Sequence, residues 1–212
     1  MAIDQRKRLG KLIRKAAKRR QQLAEKQLAT GNILNWPKAQ QREAASKAPI
    51  HECLVPEMLF EYGLGTVLFS RKLGGQWVAV SGFLLDVQCL GVKNAFFSIL
   101  PIWEYHSLVE KTERSGGPHR TETPAYTRKL IEDTLRYAAS LGFAPHPDYR
   151  GASTILGDVD GLESREVFTF GHKGKPFYVS GPHETPEDIR RNLAVLESSV
   201  GRGNFEFLIR AG

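Results

Sequence analysis

From residue 51 onward the apolar positions fall into short runs that change period several times, and each change marks an element. Thr66 to Lys72 and Gln76 to Val87 are β-rich runs on either side of Gly74-Gly75, the pattern of a hairpin. Gly82 interrupts the second run, which signals a bulge or a close approach to the backbone. Ala95 to Lys111 carries a helical period that Pro101 breaks or starts, and Arg114 to Glu122 reads as a polar, glycine-containing loop. Leu130, Ile131, Thr134, Leu135, Ala138 and Leu141 recur at helical spacing behind a Thr123 cap and Pro124 at the first position, until Gly142 ends the helix. A short helix, Tyr149 to Leu156, leads to the acidic turn Gly157-Asp158-Val159-Asp160-Gly161. Glu166 to Phe170 and Pro176 to Ser180, around Gly171 to Lys175, predict a second hairpin. Thr185-Pro186-Glu187-Asp188 is a helix start, with Ile189, Leu193, Leu196 and Val200 on one face and Gly201 as its stop. Asn204 to Arg210 closes the chain as a strand. The order predicts an α+β fold: two β-hairpins in a mainly antiparallel sheet, covered on one side by helices.

The N-terminal pattern is different. Gln5 to Ala29 has strong helix propensity throughout, ended by Thr30-Gly31. Its apolar residues form only a thin stripe, while Arg6, Lys7, Arg8, Lys11, Arg14, Lys15, Lys18, Arg19 and Arg20 wrap most of the circumference. A helix so nearly polar all round has little core to join. Asn32 to Ala48 reads as a linker or a short second helix. The expected division is a basic arm and linker over residues 1–48 and one domain over residues 49–212, with a chain beginning at Ala48 still able to fold.

Charge sharpens that division. Residues 1–50 hold 13 Lys and Arg against 3 Asp and Glu, a net of +10, whereas residues 51–212 hold 17 against 20, a net of −3. The basic character therefore belongs to the arm. No run approaches the roughly 18 apolar residues of a membrane span, and no apolar segment follows the N-terminal charges as in a secretory signal. Cys53 and Cys89 are too few for a disulfide framework, so a reduced, cytoplasmic setting is expected.

Three blocks, GFLLDVQCLGVKNAFF, GFAPHPDYRGASTILGD and FTFGHKGKPFYVSGP, resemble a family of uncharacterised bacterial proteins over roughly residues 50–185. The resemblance implies a bacterial, cytoplasmic protein with a single folded core. It assigns no activity and no functional residue, and the basic arm lies outside it.

Three constellations carry candidate chemistry. Asp86 ends a strand inside the most apolar stretch, and Asp158 and Asp160 sit in a turn; three converging carboxylates would hold Mg²⁺ for a nuclease or phosphoesterase. Against that stands ordinary turn chemistry for Gly-Asp-Val-Asp-Gly and a hydrogen-bonded Asp86. Cys89 with His51 or His146 would make a nucleophile and base, against the commoner role of a buried cysteine as apolar filler. The third is cationic: His172, Lys173 and Lys175 at a hairpin tip beside Phe177 and Tyr178, Arg190-Arg191 one turn into the last helix, and above all the arm. Ten basic residues within Arg6 to Lys26 have only Glu25 for i,i+4 pairing, and such self-repulsion calls for an anionic partner. The expected function is nucleic-acid binding, RNA rather than DNA, through the arm residues together with Lys173 and Lys175. The alternatives are the Mg²⁺-dependent nuclease and a module docking an acidic protein. No cofactor motif and no metal-ligand spacing is present, so neither cofactor nor metal is expected.

Overall fold

The computed structural model describes residues 33–209, so the expected basic helix and its nine cationic positions from Arg6 to Arg20 lie outside the described residues. In chain order the elements are α1 (Lys38–Ser46), β1 (Ile50–Pro56), α2 (Leu59–Tyr62), β2 (Leu64–Lys72), β3 (Trp77–Asp86), β4 (Gly91–Pro101), α3 (Ile102–Gly116), β5 (His119–Thr121), α4 (Pro124–Ser140), α5 (Tyr149–Ala152), β6 (Phe177–Val179), α6 (Pro186–Val200) and β7 (Glu206–Leu208). The fold is α+β. β1 to β5 form one antiparallel sheet in the order β4-β3-β2-β1-β5, and β6 and β7 form a separate parallel pair.

The β2–β3 hairpin turns where Gly74 and Gly75 both adopt positive φ, 81° and 58°, a conformation open to glycine without a steric cost. Gly82 marks a close approach: a Cβ there would strike the ring of Phe96 on the paired strand. The bulge lies elsewhere, at Lys93, which is left unpaired as the register slips between Leu84 and Leu85.

Side chains alternate across the sheet, and both faces are buried. Val67, Phe69, Ala79, Phe83, Leu85 and Val92 pack on one side with Leu130 and Ile131 of α4 and with Ala152 and Ile155. Leu54, Leu68, Val78 and Val80 pack on the other with Tyr105, Leu108 and Val109 of α3. The Tyr105 hydroxyl donates to Glu52 Oε1 at 2.7 Å, fastening α3 to β1. The one-sided cover expected from sequence is therefore corrected: α3 closes the second face. Its N-terminal neighbour explains the misreading. Ala95 to Leu100 belongs to β4, not to a helix; Phe96 and Leu100 face one core and Ala95, Phe97 and Ile99 the other. A strand buried on both sides has no clean period of two. Pro101 starts α3, as one of the two expected roles required. The loop expected at Arg114 to Glu122 contains β5, whose three residues pair with β1.

The second hairpin does not form. His172 and Lys175 make a single bridge, and β6 takes β7 as a parallel partner instead. Aromatic packing outweighs the ladder: Phe168 meets Tyr126 edge-on at 5.1 Å, and Phe170 stacks on Tyr137 at 5.1 Å. The amides of Gly171 and Phe177 go to the carbonyls of Val87 and Gln88 in the β3–β4 turn. α4 and α6 match expectation, each with a threonine cap and proline in the first turn. Thr185 and Asp188 make a reciprocal capping box.

The domain also begins earlier than Ala48. Ile33, Ala45 and Ala48 are buried in the larger core, and the Gln41 side chain donates to the carbonyls of Leu34 and Trp36. The residues expected as a linker or a short second helix thus include α1 and are a packed part of the domain. What fixes them is Arg71 of β2, only 4% exposed. Its Nη1 donates to Ala48 O at 2.6 Å, Nε to Ile155 O at 2.7 Å and Nη2 to Leu156 O at 2.9 Å. Replacing Arg71 by Met removes the guanidinium donor from all three carbonyls, leaving Leu156 O only the Val159 amide at 3.3 Å, and we expect a loss of about 3 kcal/mol or more, read from the urea midpoint. Arg71→Lys should recover only part of it, because one ammonium cannot reproduce the planar fork.

Candidate nucleic-acid interface

α1 and α5 bring two arginines to one cleft. Arg42 comes from α1 and Arg150 from α5, and with Ala39, Pro147, Asp148, Gly151 and Thr154 they line a cavity of about 380 Å³. The Arg42 guanidinium lies 5.8 Å from the centroid of the Phe97 ring of β4, a cation–π placement. Gly151 makes room for it: a Cβ there would come within 2.6 Å of Arg42 Nη1 and 2.7 Å of Cζ. Arg42 Nε is buried without a hydrogen-bond partner. Neither arginine side chain is in an ion pair with a carboxylate of the described residues. Burial sets Arg42 apart: the other buried or half-buried arginines of the described residues, Arg71, Arg120 and Arg128, each donate to carbonyl, carboxylate or hydroxyl oxygens. An unsatisfied guanidinium edge in a cleft is suited to an oxyanion such as phosphate.

A second cleft of about 280 Å³ adjoins the first at Pro147, bounded by Leu90, Val92 and Lys93 of the β3–β4 hairpin, by residues 143–147 and by Asn192 of α6. The loop is held to the sheet by its backbone, His146 N donating to Val92 O at 2.9 Å. The His146 ring accepts a hydrogen bond at Nδ1 from the Asp148 amide, 3.3 Å away. Behind it runs a polar chain: Lys93 Nζ lies 3.3 Å from Glu184 Oε1, Tyr178 donates to the same carboxylate, and Asn192 Nδ2 reaches Tyr178 Oη at 3.4 Å. Glu184 compensates Lys93, so the free positive charge resides in the first cleft. Asp148, with a side chain 71% exposed, supplies a carboxylate at the shared rim, 3.8 Å from His146 Nδ1.

The residues singled out from sequence are placed differently. Lys173 and Lys175 sit in a tight turn in which Lys173 takes φ 50°, and Lys175 Nζ donates to Gly203 O at 3.4 Å. Neither lines the arginine cleft or its neighbour. Asp86, Asp158 and Asp160 form no metal-holding cluster. Asp86 Oδ1 accepts the amides of Gln88 at 3.0 Å and Cys89 at 2.8 Å, capping the β3–β4 turn, while Asp160 accepts from Leu162 N at 2.8 Å and the nearest expression of Asp158 is its charge on Arg71. Among the described residues, no group of three or more His, Cys, Asp or Glu is arranged to hold a metal ion. Cys89 is buried, and burial raises its thiol above the usual range, with Asp86 adding to the effect. Cys53 is pushed up to about 12 by burial. Both environments disfavour the thiolate that nucleophilic catalysis requires.

Sequence reasoning missed Arg42 and Arg150. Arg42 lies in a segment that reads as a linker or a short second helix, and Arg150 in a short helix with a single charge. The signal available was Gly151 beside Arg150, and its meaning needs the guanidinium from α1. No family model, curated protein or solved structure matches the chain.

Two measurements test the polar interior. Asp86→Ala orphans two turn amides and should cost about 2 to 4 kcal/mol. Asp86→Asn keeps an acceptor and drops the charge. Burial raises the Asp86 pKa in the fold despite Lys93, so the folded state holds its proton more tightly than the unfolded chain. Its contribution to stability is then fully present below the unfolded value and is lost as pH rises toward the folded one. The Asn variant should therefore equal or exceed the wild type in denaturant midpoint at pH 7, with that advantage shrinking near pH 4.

Proposed function

We propose that the protein binds nucleic acid, RNA in preference to DNA, with the basic arm supplying non-specific attraction and the Arg42–Arg150 cleft seating a phosphate. One observation carries the reading: Arg42, half-buried with an Nε that has no hydrogen-bond partner, lines one cleft with the exposed Arg150, whereas the other buried or half-buried arginines of the described residues, Arg71, Arg120 and Arg128, are engaged. Charge bookkeeping supports it. Residues 1–32 hold 10 Lys and Arg against 2 Asp and Glu, whereas residues 33–209 hold 19 against 21. The arm thus enters a nearly neutral domain at Ile33, nine positions before Arg42. Long-range attraction comes from the arm, and a fixed phosphate position from the cleft. A cytoplasmic setting belongs to the same reading and rests on two free thiols. Among the described residues no helix is long and apolar enough to cross a membrane.

The enzyme alternative has no observation in its favour, since Asp86 is committed to turn amides. Docking of an acidic protein remains the competing outcome of the test. Binding of matched RNA and DNA strands by the full chain should be followed by fluorescence anisotropy across a salt series. With five to eight phosphates neutralised, log K should fall against log salt with a slope of roughly −4 to −7. Replacing Arg6, Lys7, Arg8, Lys11, Arg14, Lys15, Lys18, Arg19 and Arg20 by Gln should flatten most of that slope. Arg42→Gln with Arg150→Gln should weaken binding on every sequence and reduce the slope by about 1 to 2. Absence of binding to either nucleic acid at low salt overturns the function and leaves the acidic protein as partner. Equal affinity for RNA and DNA overturns the preference alone.

A further inference from the structure

We propose that the two adjoining clefts together seat one nucleotide of an unpaired strand, its phosphate on Arg42 and Arg150 and its base on the ledge made by Phe143, Pro145 and His146. The inference rests on the nucleic-acid reading and specifies the substrate class of that same site.

The two cavities differ in chemistry and meet at Pro147. The first offers guanidinium donors with no carboxylate partner, which suit a phosphate. The second has no uncompensated charge, because Lys93 is paired with Glu184. It presents instead an aromatic ring, prolines, an imidazole and the Asn192 amide. That combination fits a nucleobase: flat surfaces take its π-face, and an amide together with a histidine N–H can reach its edge. His146 is set for this. Its Nδ1 accepts the Asp148 amide, which holds the ring as the Nε2–H tautomer and leaves that donor uncommitted. The ledge is also rigid, with a proline on either side of His146 and the loop pinned to Val92 O, so little conformational entropy is lost when a base settles on it.

A duplex cannot use the arrangement. Its bases are stacked inward, and reaching the ledge requires one to leave the stack. Volumes of about 380 and 280 Å³ lie near the lower bound of the roughly 300 to 1,000 Å³ of ligand sites, the second just under it, suiting a single nucleotide over a longer bound segment. Asp148 at the shared rim opposes the phosphate by like charge and thereby limits affinity.

Three strands of equal phosphate number distinguish the outcomes on the full-length protein at one salt concentration: a uridine oligomer, the same backbone with abasic positions, and a duplex. The uridine strand should bind at least fivefold tighter than either of the others, the scale of one stacked base. His146→Ala, and separately Asn192→Leu, should bring the ratio of uridine to abasic affinity toward one, with circular dichroism confirming that each variant is folded. Asp148→Asn should raise affinity for all three strands. Equal affinity for uridine and abasic strands overturns the base ledge while the nucleic-acid reading stands, since the phosphates alone are then being read. Tighter binding of the duplex also overturns it. No binding by any strand overturns both.

Discussion

A single buried guanidinium holds together the parts of this domain that the sheet alone does not connect. Arg71 projects from β2, in the middle of the five-stranded sheet, and spends its donors on three carbonyls from two distant segments. One is Ala48, where the chain leaves α1 for β1; the others are Ile155 and Leu156, just past α5. The price is the desolvation of a cation without a hydrogen-bonded carboxylate, and burial accordingly lowers its pKa, with Asp158 opposing the shift. Three charge-assisted bonds in one plane offset that cost. Gly157 follows the same constraint, since a Cβ there would strike the carbonyl of Ser46 and crowd Arg71 Nη2. Ser81 adds a weaker tie from the next strand, donating to Ala152 O at 2.8 Å.

The consequence reaches the candidate site. α1 carries Arg42, and the segment from α5 to Leu156 carries Arg150, Gly151 and Thr154. Arg71 therefore ties together the two pieces of backbone whose arginines line the cleft. A cationic site of this kind needs its walls held against mutual repulsion, and helix propensity cannot do it for a nine-residue and a four-residue helix. Two arginines of the domain have opposite fates: Arg71 is satisfied, buried and structural, while Arg42 has a buried edge left unpaired.

The acid in the apolar hairpin plays the complementary part. Asp86 is buried because its Oδ1 organises the β3–β4 turn, and that turn in turn receives the amides of Gly171 and Phe177. Through it the C-terminal unit of β6, α6 and β7 is attached, with Cys89, Tyr178 and Leu196 forming its own small core. Lys93, the bulged residue next to the turn, then faces Glu184 and lines the second cleft. A carboxylate that reads in isolation as a metal ligand is here the anchor of a chain reversal. Asp160 is likewise committed to its own turn through the Leu162 amide, while Asp158 acts through its charge on Arg71.

The sequence by itself determined the elements whose signals are local: the Gly74-Gly75 hairpin and the capped helices after Thr123 and Thr185. It also determined the segregation of charge between the first 32 residues and the rest, because both propensity and composition are properties of contiguous residues. Tertiary structure decided everything that depended on partners far away in the chain. β4 is a strand because two cores claim its alternate faces, and the run after Glu166 is not a hairpin because Tyr126 and Tyr137 offer its phenylalanines a better surface. Ile33 to Ala48 is part of the domain because Arg71 and the larger core hold it there. The cleft is the extreme case: Arg42 and Arg150 are 108 positions apart in the sequence, and nothing in either neighbourhood announces the other. Their meeting is set by packing, which a periodicity along one chain cannot encode.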